Sequence, residues 1–174
     1  MSDKPAKLIV RNAKVRDIPG IMEMSERVYG PGMGYARSEL IGQLNRFPEG
    51  QFVAEYEGVI VGYCATFMIS SDVALKPHTW NEITGVGFAA RHDPDGDMLY
   101  GMDVMVHPDY RRLRIGERFY RIRRELCQWL ELKGIVFGGR MPGYARHAKE
   151  FPNPQDYVDA VVDQKLKDPV INFQ

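Results

Sequence analysis

The segment from Val104 to Gly116, VMVHPDYRRLRIG, constrains the fold of this chain most strongly. It begins as an apolar strand, turns at Pro108, passes through an arginine-rich loop and opens a long amphipathic helix predicted over Gly116 to Lys133. A helix that begins directly after a loop points unpaired backbone N–H groups and the positive end of its dipole at one place. Because arginines there can donate bidentate hydrogen bonds, the segment predicts a site for a phosphorylated ligand. A solvated basic helix face is the alternative interpretation.

The charge of the chain is balanced overall but unevenly distributed. The 23 basic and 23 acidic residues leave no net charge that would draw the chain to nucleic acid or to a membrane surface. Seven arginines nevertheless fall between positions 111 and 124, and any function has to account for them. Aromatic residues are not interleaved with these arginines, so a nucleic-acid module is the weakest of the functional hypotheses.

Cysteine content and the lack of long apolar runs bear on the cellular compartment. Cys64 and Cys127 both lie among apolar neighbours, as reduced core thiols do in cytosolic proteins. The first residues, MSDKPAK, contain no apolar stretch typical of a signal peptide, and no segment approaches the roughly eighteen apolar residues of a membrane span. The sequence therefore predicts a soluble, cytoplasmic protein that makes no contact with a membrane.

Hydrophobic periodicity predicts helices and strands in the order βααβββαβαβ, an α/β chain without a linker or a repeat. The clearest local feature is a hairpin with strands at Gln51–Tyr56 and Val59–Ile69. Residues 70–97 give no assignable element. The pattern also places Trp129 in the core and ends with a strand from Val170 to Phe173.

The Val104–Gly116 segment resembles the acyl-CoA-binding motif of GNAT acetyltransferases, an apolar strand with V-x-P followed by R-G-x-G-I-G at the start of a helix. Arg112 and Arg114 stand where that motif has glycine. Glycine eases the approach of backbone amides to the pyrophosphate, so the usual geometry is in question here and side chains would replace some contacts. The positions that match the motif are Val106, Pro108, Arg111, Ile115 and Gly116.

A narrower likeness extends over most of the chain. The stretches HDPDGD (92–97), LYGMDVMVHPDYR (99–111), GGRMPGY (138–144) and LKDPVINFQ (166–174) resemble one GNAT branch. That branch often stands at the N-terminus of proteins that carry a carbon–nitrogen hydrolase (nitrilase-like) domain. The resemblance implies one GNAT acyltransferase domain over residues 7–174, of the α/β (α+β) class, with a central mixed, mostly antiparallel sheet flanked by helices.

The family architecture carries two further expectations about the sheet. Strands beginning near Gly101 and Ile135 should lie side by side and splay apart around the pantetheine arm of the cofactor. The fold usually ends in a hairpin of two strands, of which the last is missing here, so the strand ending at Phe173 leaves backbone groups unpaired. The hypothesis is a homodimer in which another copy covers this C-terminal strand, and a shortened or excised domain is the competing idea.

The chemistry implied by the resemblance is the transfer of an acetyl group from acetyl-CoA to an unidentified primary amine, by direct attack on the thioester. The alternative is a catalytically idle domain of the same fold that binds CoA or another protein. The residues implied to bind the cofactor are Val104, Met105, Val106, Arg111, Arg112, Leu113, Arg114, Ile115, Gly116 and Glu117.

Three residues are candidates for catalysis. Asp103 lies opposite in phase to Val104 on its strand, so it faces the cleft or solvent if the valine faces the core, and it is a candidate for substrate binding or for the general base. Glu82, in the unassigned region, is a second candidate. Tyr144 lies near the place where the family often keeps the tyrosine that protonates the departing thiolate, and His147 fits the offset about as well. Each has a structural alternative, as a paired or solvated surface group or as a loop residue that packs on the sheet.

The acidic segment HDPDGD raises the possibility of a metal site. Asp93, Asp95 and Asp97 have the spacing of a calcium loop, but the bidentate glutamate of such a loop does not follow at the required offset. A turn built on Pro94 and Gly96 is favoured, and no metal is predicted.

Overall fold

The computed structural model describes residues 7–172, which fall into two compact units. The first unit ends at Phe137 and the second begins at Gly138. The single domain predicted over residues 7–174 stays a prediction.

A five-stranded sheet, with its strands in chain order, forms the centre of the first unit. The strands are β1 (Leu8–Asn12), β2 (Gln51–Tyr56), β3 (Val59–Ile69), β4 (Met98–Val106) and β5 (Gly134–Phe137). Neighbours from β1 to β4 are antiparallel, and β5 is parallel to β4. The predicted mixed, mostly antiparallel sheet is confirmed, and the strands of the hairpin have the predicted bounds.

Helices cover both faces of this sheet. The α-helices of the first unit are α1 (Ile18–Tyr29), α2 (Arg37–Arg46), α3 (Ser71–Ala74), α4 (Trp80–Thr84) and α5 (Ile115–Trp129). On β3, the Tyr63 hydroxyl contacts Gln43 of α2, whereas a Cβ atom added to the neighbouring Gly62 would lie 2.8 Å from Phe119 of α5. Because successive residues of a strand point to opposite faces, α2 and α5 lie on opposite sides of the sheet.

The long helix α5 ends at Trp129 rather than at the predicted Lys133. Glu131 adopts a left-handed φ of 55°, and the backbone N–H of Leu132 donates to the carbonyl of Cys127 at 3.0 Å. A bond of this kind closes a helix and turns the chain back towards the core. Leu132 consequently packs against the core while Trp129 is 72% exposed, so the prediction that Trp129 is a core residue is wrong.

The second unit is organised around Tyr157 and Asp168, both fully buried. Its helices are α6 (Tyr144–His147) and α7 (Pro154–Val162). The Asp168 carboxylate accepts hydrogen bonds from the Tyr157 hydroxyl and from the Gly143 backbone N–H, each at 2.9 Å. Burial acts to raise the pKa of Asp168, but these and further backbone hydrogen bonds prevail and lower it.

Residues 169–172 form turns, so the strand predicted from Val170 to Phe173 is wrong over the part that is described, and Phe173 lies outside the described residues. The Asp168 carboxylate accepts the backbone N–H groups of Val170 at 2.9 Å and of Ile171 at 3.2 Å. A carboxylate that takes the donors of the next residues holds the chain in a turn and withholds those donors from a sheet. The homodimer inferred from this strand stays a prediction, without a strand at 170–172 to support it.

None of the helices within residues 7–172 has both the length and the apolar character that crossing a bilayer requires. The cytoplasmic location stays a prediction.

Replacing Asp168 with alanine is expected to lower the free energy of unfolding of the second unit by about 2–4 kcal/mol, because several buried donors lose their acceptor together. Amide hydrogen exchange over residues 143–172 measures the loss. Asp163→Ala is the matched control, since the Asp163 carboxylate is exposed and accepts from the Lys165 ammonium group at 2.9 Å. An exposed pair of this kind is expected to contribute less than about 1 kcal/mol. Equal exchange rates in the two variants would contradict the central role of Asp168.

Candidate active site

Strand β4 continues past the point where its parallel partner ends. The two strands pair up to Gly101 and Phe137, which confirms that the strands near Gly101 and Ile135 lie side by side. Beyond this point β4 runs on to Val106, and within the described sheet no β5 residue lies opposite it. The segment 102–106 thus has one edge, called here the open edge of β4, along which a ligand can form hydrogen bonds with the backbone.

A 3₁₀ turn over Pro108–Leu113 carries the chain from β4 to α5. Arg114, the N-cap of α5, has φ 55° and ψ 33°, in the left-handed region. Its guanidinium pairs with the Glu117 carboxylate through contacts of 2.5 and 2.9 Å, while Arg111 and Arg112 are exposed on the turn. The first N–H groups of an α-helix have no acceptor within the helix. The turn therefore presents backbone donors, the positive end of a helix dipole and two exposed arginines in one region.

A β-bulge interrupts the pairing of β3 with β4. Ala65 lies opposite Asp103, and Met102 is the extra residue before the regular register resumes. A bulge disrupts the hydrogen-bond ladder of the sheet locally, so the backbone groups of the bulge need other partners. The indole N–H of Trp80, in α4, donates to the carbonyl of Met102 at 3.1 Å, which ties α4 to the bulge.

Arg123 supports the same bulge from the α5 side. Its side chain is 2% exposed, and its Nη2 donates to the carbonyl oxygens of Ala65 at 3.0 Å and Asp103 at 2.5 Å. The Nε atom of Arg123 is buried and has no hydrogen-bond partner in the described chain. Gly101 leaves room for this guanidinium, because a Cβ atom there would lie 3.0 Å from Nη1. Arg123 is therefore a core residue, unlike the six exposed arginines with which the sequence groups it.

The Asp103 carboxylate lies on the other face of the sheet, beside the end of α1. The Tyr29 hydroxyl lies 2.7 and 2.8 Å from its two oxygens, and the Tyr35 hydroxyl donates to one of them at 2.9 Å. Burial raises the pKa of Asp103, and the hydrogen bonds from the tyrosines oppose that rise. Within the regular part of β4, Asp103 and Val104 point to opposite faces of the sheet. The carboxylate is held by two phenols rather than fully solvated.

The other two catalytic candidates contact backbone groups in their own segments. The Glu82 carboxylate caps α4 by accepting from the N–H of Thr79 at 2.8 Å and its hydroxyl at 2.7 Å, and these bonds lower the pKa of Glu82. Tyr144 and His147 belong to the second unit, where the Tyr144 hydroxyl donates to the carbonyl of Phe151 at 3.1 Å. The catalytic role predicted for each of these residues stays a prediction.

Sequence reasoning missed polar side chains that the fold brings to β4. Tyr29 and Tyr35 had no assigned role, and their only local signal is their position on either side of a glycine-rich loop. The Nε2 atom of His78 lies 3.0 Å from the Tyr100 hydroxyl, and its Nδ1 atom lies 2.7 Å from the carbonyl of Lys76. Because a carbonyl can only accept, Nδ1 carries a proton, and in the neutral ring Nε2 accepts from the Tyr100 hydroxyl.

The acidic segment HDPDGD forms the predicted turn at Pro94. The Asp93 carboxylate accepts the backbone N–H of Asp95 at 3.0 Å, and Asp97 pairs with Lys133 at 2.6 Å. The described residues contain no group of three or more His, Cys, Asp or Glu side chains placed to hold a metal ion.

Comparison with known proteins identifies the family. The family described as Acetyltransferase (GNAT) family matches residues 19–137, the part of the chain that holds strands β2 to β5, the bulge and α5. This chain belongs to the GNAT acetyltransferase family.

Two curated relatives of this GNAT chain come from Bacillus subtilis (strain 168). It is 43% identical over 169 residues to "Probable hydrolase YhcX", covering 97% of this chain and 33% of that protein. It is 31% identical over 170 residues to "Uncharacterized N-acetyltransferase YkwB", covering 95% of this chain and 75% of that protein. The chain therefore spans about a third of the length of the first relative. The likeness to a branch fused to a carbon–nitrogen hydrolase domain stays a prediction.

Solved structures share the fold of this GNAT domain. The loading GNATL domain of CurA from Lyngbya majuscula has a TM-score of 0.78 at 19% identity, covering 96% of this chain and 81% of that one. The GphF GNAT-like decarboxylase, solved in complex with isobutyryl-CoA, has a TM-score of 0.74 at 24% identity, covering 95% of this chain and 82% of that one.

The departure from the family motif has a local structural explanation. Arg114 stands at a glycine position of the GNAT motif and keeps a left-handed backbone, which glycine adopts without strain. A side chain with a Cβ atom pays about 1–2 kcal/mol in this region. At this residue the backbone thus adopts a conformation that glycine favours, with an arginine in its place.

Replacing Arg114 with glycine is expected to raise the free energy of unfolding by about 0.5–1 kcal/mol, because the left-handed backbone loses its steric cost. Arg114→Ala is the matched control. The alanine variant loses the same exposed ion pair with Glu117 but keeps the steric cost of the left-handed backbone. It is therefore expected to be a few tenths of a kcal/mol less stable than the parent. Urea denaturation measures both variants. An alanine variant as stable as the glycine variant would show that the left-handed conformation costs nothing here.

Proposed function

We propose that this GNAT domain transfers an acetyl group from acetyl-CoA to the nitrogen of a primary amine by direct attack. The observation that carries the proposal is the continuous path from the open edge of β4, through the arginine-bearing turn, to the start of α5. It offers backbone donors, a helix dipole and positive side chains in the order that a long phosphorylated thioester requires.

The residues of this path fit CoA by their chemistry. The pyrophosphate would lie at the start of α5, where backbone N–H groups from Leu113 to Glu117 face it and the exposed Arg111 and Arg112 neutralise its charge. The pantetheine arm carries amide groups, and these suit the backbone of the open edge at Val104 to Val106.

The acyl-transfer step is assigned to the region of the bulge. A backbone N–H of β4 there would donate to the developing oxyanion of the thioester carbonyl. Asp103, on the face of the sheet covered by α1 and α2, would take a proton from the ammonium form of the amine so that its nitrogen can attack. The C–N bond forms and the C–S bond breaks, and the second proton that the nitrogen loses on becoming an amide balances the proton that the thiolate takes up as it leaves as the CoA thiol.

A second candidate function is a catalytically idle domain that binds CoA. It is favoured by the local contacts of Glu82 and Tyr144, which give each group a structural role without catalysis. Binding of CoA without turnover on any amine would support this candidate over the transferase.

Replacing Arg111 or Arg112 with alanine is expected to weaken CoA binding by about 1.5–3 kcal/mol each, because a charge-assisted contact to phosphate is lost. Calorimetric titration with CoA measures this as a rise in Kd of roughly ten- to a hundred-fold. Arg124→Ala is the control, since Arg124 is exposed on α5 outside the turn and should leave Kd unchanged. Turnover is then assayed with acetyl-CoA and a panel of amines. Absence of CoA binding by the parent protein at millimolar concentration would refute both candidate functions.

A further inference from the structure

The loop between α1 and α2, Gly30-Pro31-Gly32-Met33-Gly34, is called here the glycine loop, and it is built to a defined shape. Its first and third residues have φ angles of 106° and 74°, which favour glycine. At its end, a Cβ atom on Gly34 would lie 2.5 Å from the Ser25 hydroxyl oxygen, so the loop packs directly on α1. The same oxygen accepts the backbone N–H of Tyr35 at 2.9 Å. The loop therefore fixes the positions of the two tyrosines that flank it.

Both of these tyrosines reach the same carboxylate. Tyr29, before the loop, lies 2.7 and 2.8 Å from the two Asp103 oxygens, and Tyr35, after it, donates at 2.9 Å. Asp103 takes part in none of the ion pairs formed within residues 7–172. A half-buried carboxylate that is held in place by phenols and forms no salt bridge within the described residues suits a positively charged ligand group.

We propose that Tyr29 and Tyr35 are positioning residues that orient Asp103 to receive the proton of an acceptor substrate that arrives as a primary ammonium ion. This inference rests on the proposed function. In the step, the N–H bond of the ammonium breaks and its proton passes to a carboxylate oxygen, leaving a neutral amine whose lone pair forms the new C–N bond. The tyrosines donate to the carboxylate throughout and lose no proton themselves.

The charged and titratable groups around Asp103 determine the direction in which its pKa changes when a neighbour is replaced. Tyr29 and Tyr35 donate to it, and the Arg123 guanidinium approaches from the α5 side. Tyr63 and Cys64 of β3 are also close enough to interact with its charge. Burial raises the pKa of Asp103, whereas the two tyrosines and Arg123 lower it.

Loss of one tyrosine hydroxyl removes a bond to the charged form and leaves burial less opposed, so the pKa of Asp103 rises further. The carboxylate is then protonated up to a higher pH, and the acidic limb of the profile of kcat/KM against pH moves to higher pH. If the tyrosines had a purely structural role, replacing them would lower the stability of the protein without moving this limb.

The experiment compares Tyr29→Phe, Tyr35→Phe and the double variant with the parent protein. The control is Tyr63→Phe, which also removes a buried hydroxyl on the same face of the sheet, but one bonded to Gln43 and Gln51 instead of to the carboxylate. Two readouts are taken for each: carbon NMR titration of the Asp103 carboxyl in the protein without substrate, assigned with Asp103→Asn, and kcat/KM against pH for acetyl transfer to a primary alkylamine. Thermal unfolding verifies that each variant is folded.

The expected result is a higher titration midpoint for Asp103 in both phenylalanine variants and more so in the double variant, a matching movement of the acidic limb, and neither change in Tyr63→Phe. Asp103→Asn is expected to reduce kcat/KM on the order of 10²–10⁴-fold and to abolish the limb. Acetyl transfer whose acidic limb is the same in all tyrosine variants would overturn the positioning role alone. A moved titration in a protein that acetylates no amine would instead overturn the proposed function.

Discussion

The buried guanidinium of Arg123 is the interaction on which the rest of the site depends. The bulge in β4 leaves the carbonyl groups of Ala65 and Asp103 in need of donors, and Arg123 supplies both from a single nitrogen. A buried cation with an unsatisfied Nε is costly, and charge-assisted bonds to two carbonyls offset part of that cost. A side chain at Gly101 would crowd this arrangement, because a Cβ atom there would lie 3.0 Å from Nη1 of Arg123.

The bulge in turn determines what each face of β4 presents. One extra residue reverses the alternation of side chains along a strand, so the residues before and after Met102 follow different phases. Asp103 consequently points to the helices α1 and α2 and meets two tyrosines, while its carbonyl meets Arg123 on the α5 side. The bulge thus places Asp103, proposed to meet the acceptor, on one face of β4 and Arg123, which supports the strand, on the other.

Much of the fold was predictable because its signals are local. The alternation of apolar residues sets the hairpin strands at Gln51–Tyr56 and Val59–Ile69, and the segment from Val104 to Gly116 reads directly as strand, turn and helix. The predictions that proved wrong concern places where side-chain hydrogen bonds and backbone angles override the hydrophobic pattern. Asp168 accepts the backbone donors that a final strand would have needed, and the left-handed Glu131 turns the chain just after α5, so that Leu132 packs on the core and Trp129 stays exposed.

The parts of the candidate site also differ in whether their residues lie close together or far apart in the sequence. The segment proposed to bind phosphate is contiguous, so the sequence alone could suggest it, whereas the partners of Asp103 lie 74 and 68 positions away in the chain. Arg123 lies four positions from both the buried Phe119 and the buried Cys127, so helical spacing places it on the core face of α5, whereas its carbonyl partners follow only from the bulge opposite it. The exposed arginines can respond to a ligand, but the buried one is committed to the backbone. Helical spacing therefore marks Arg123 as the buried member of the arginine run, and the bulge beneath the helix supplies the carbonyl groups that make this burial possible.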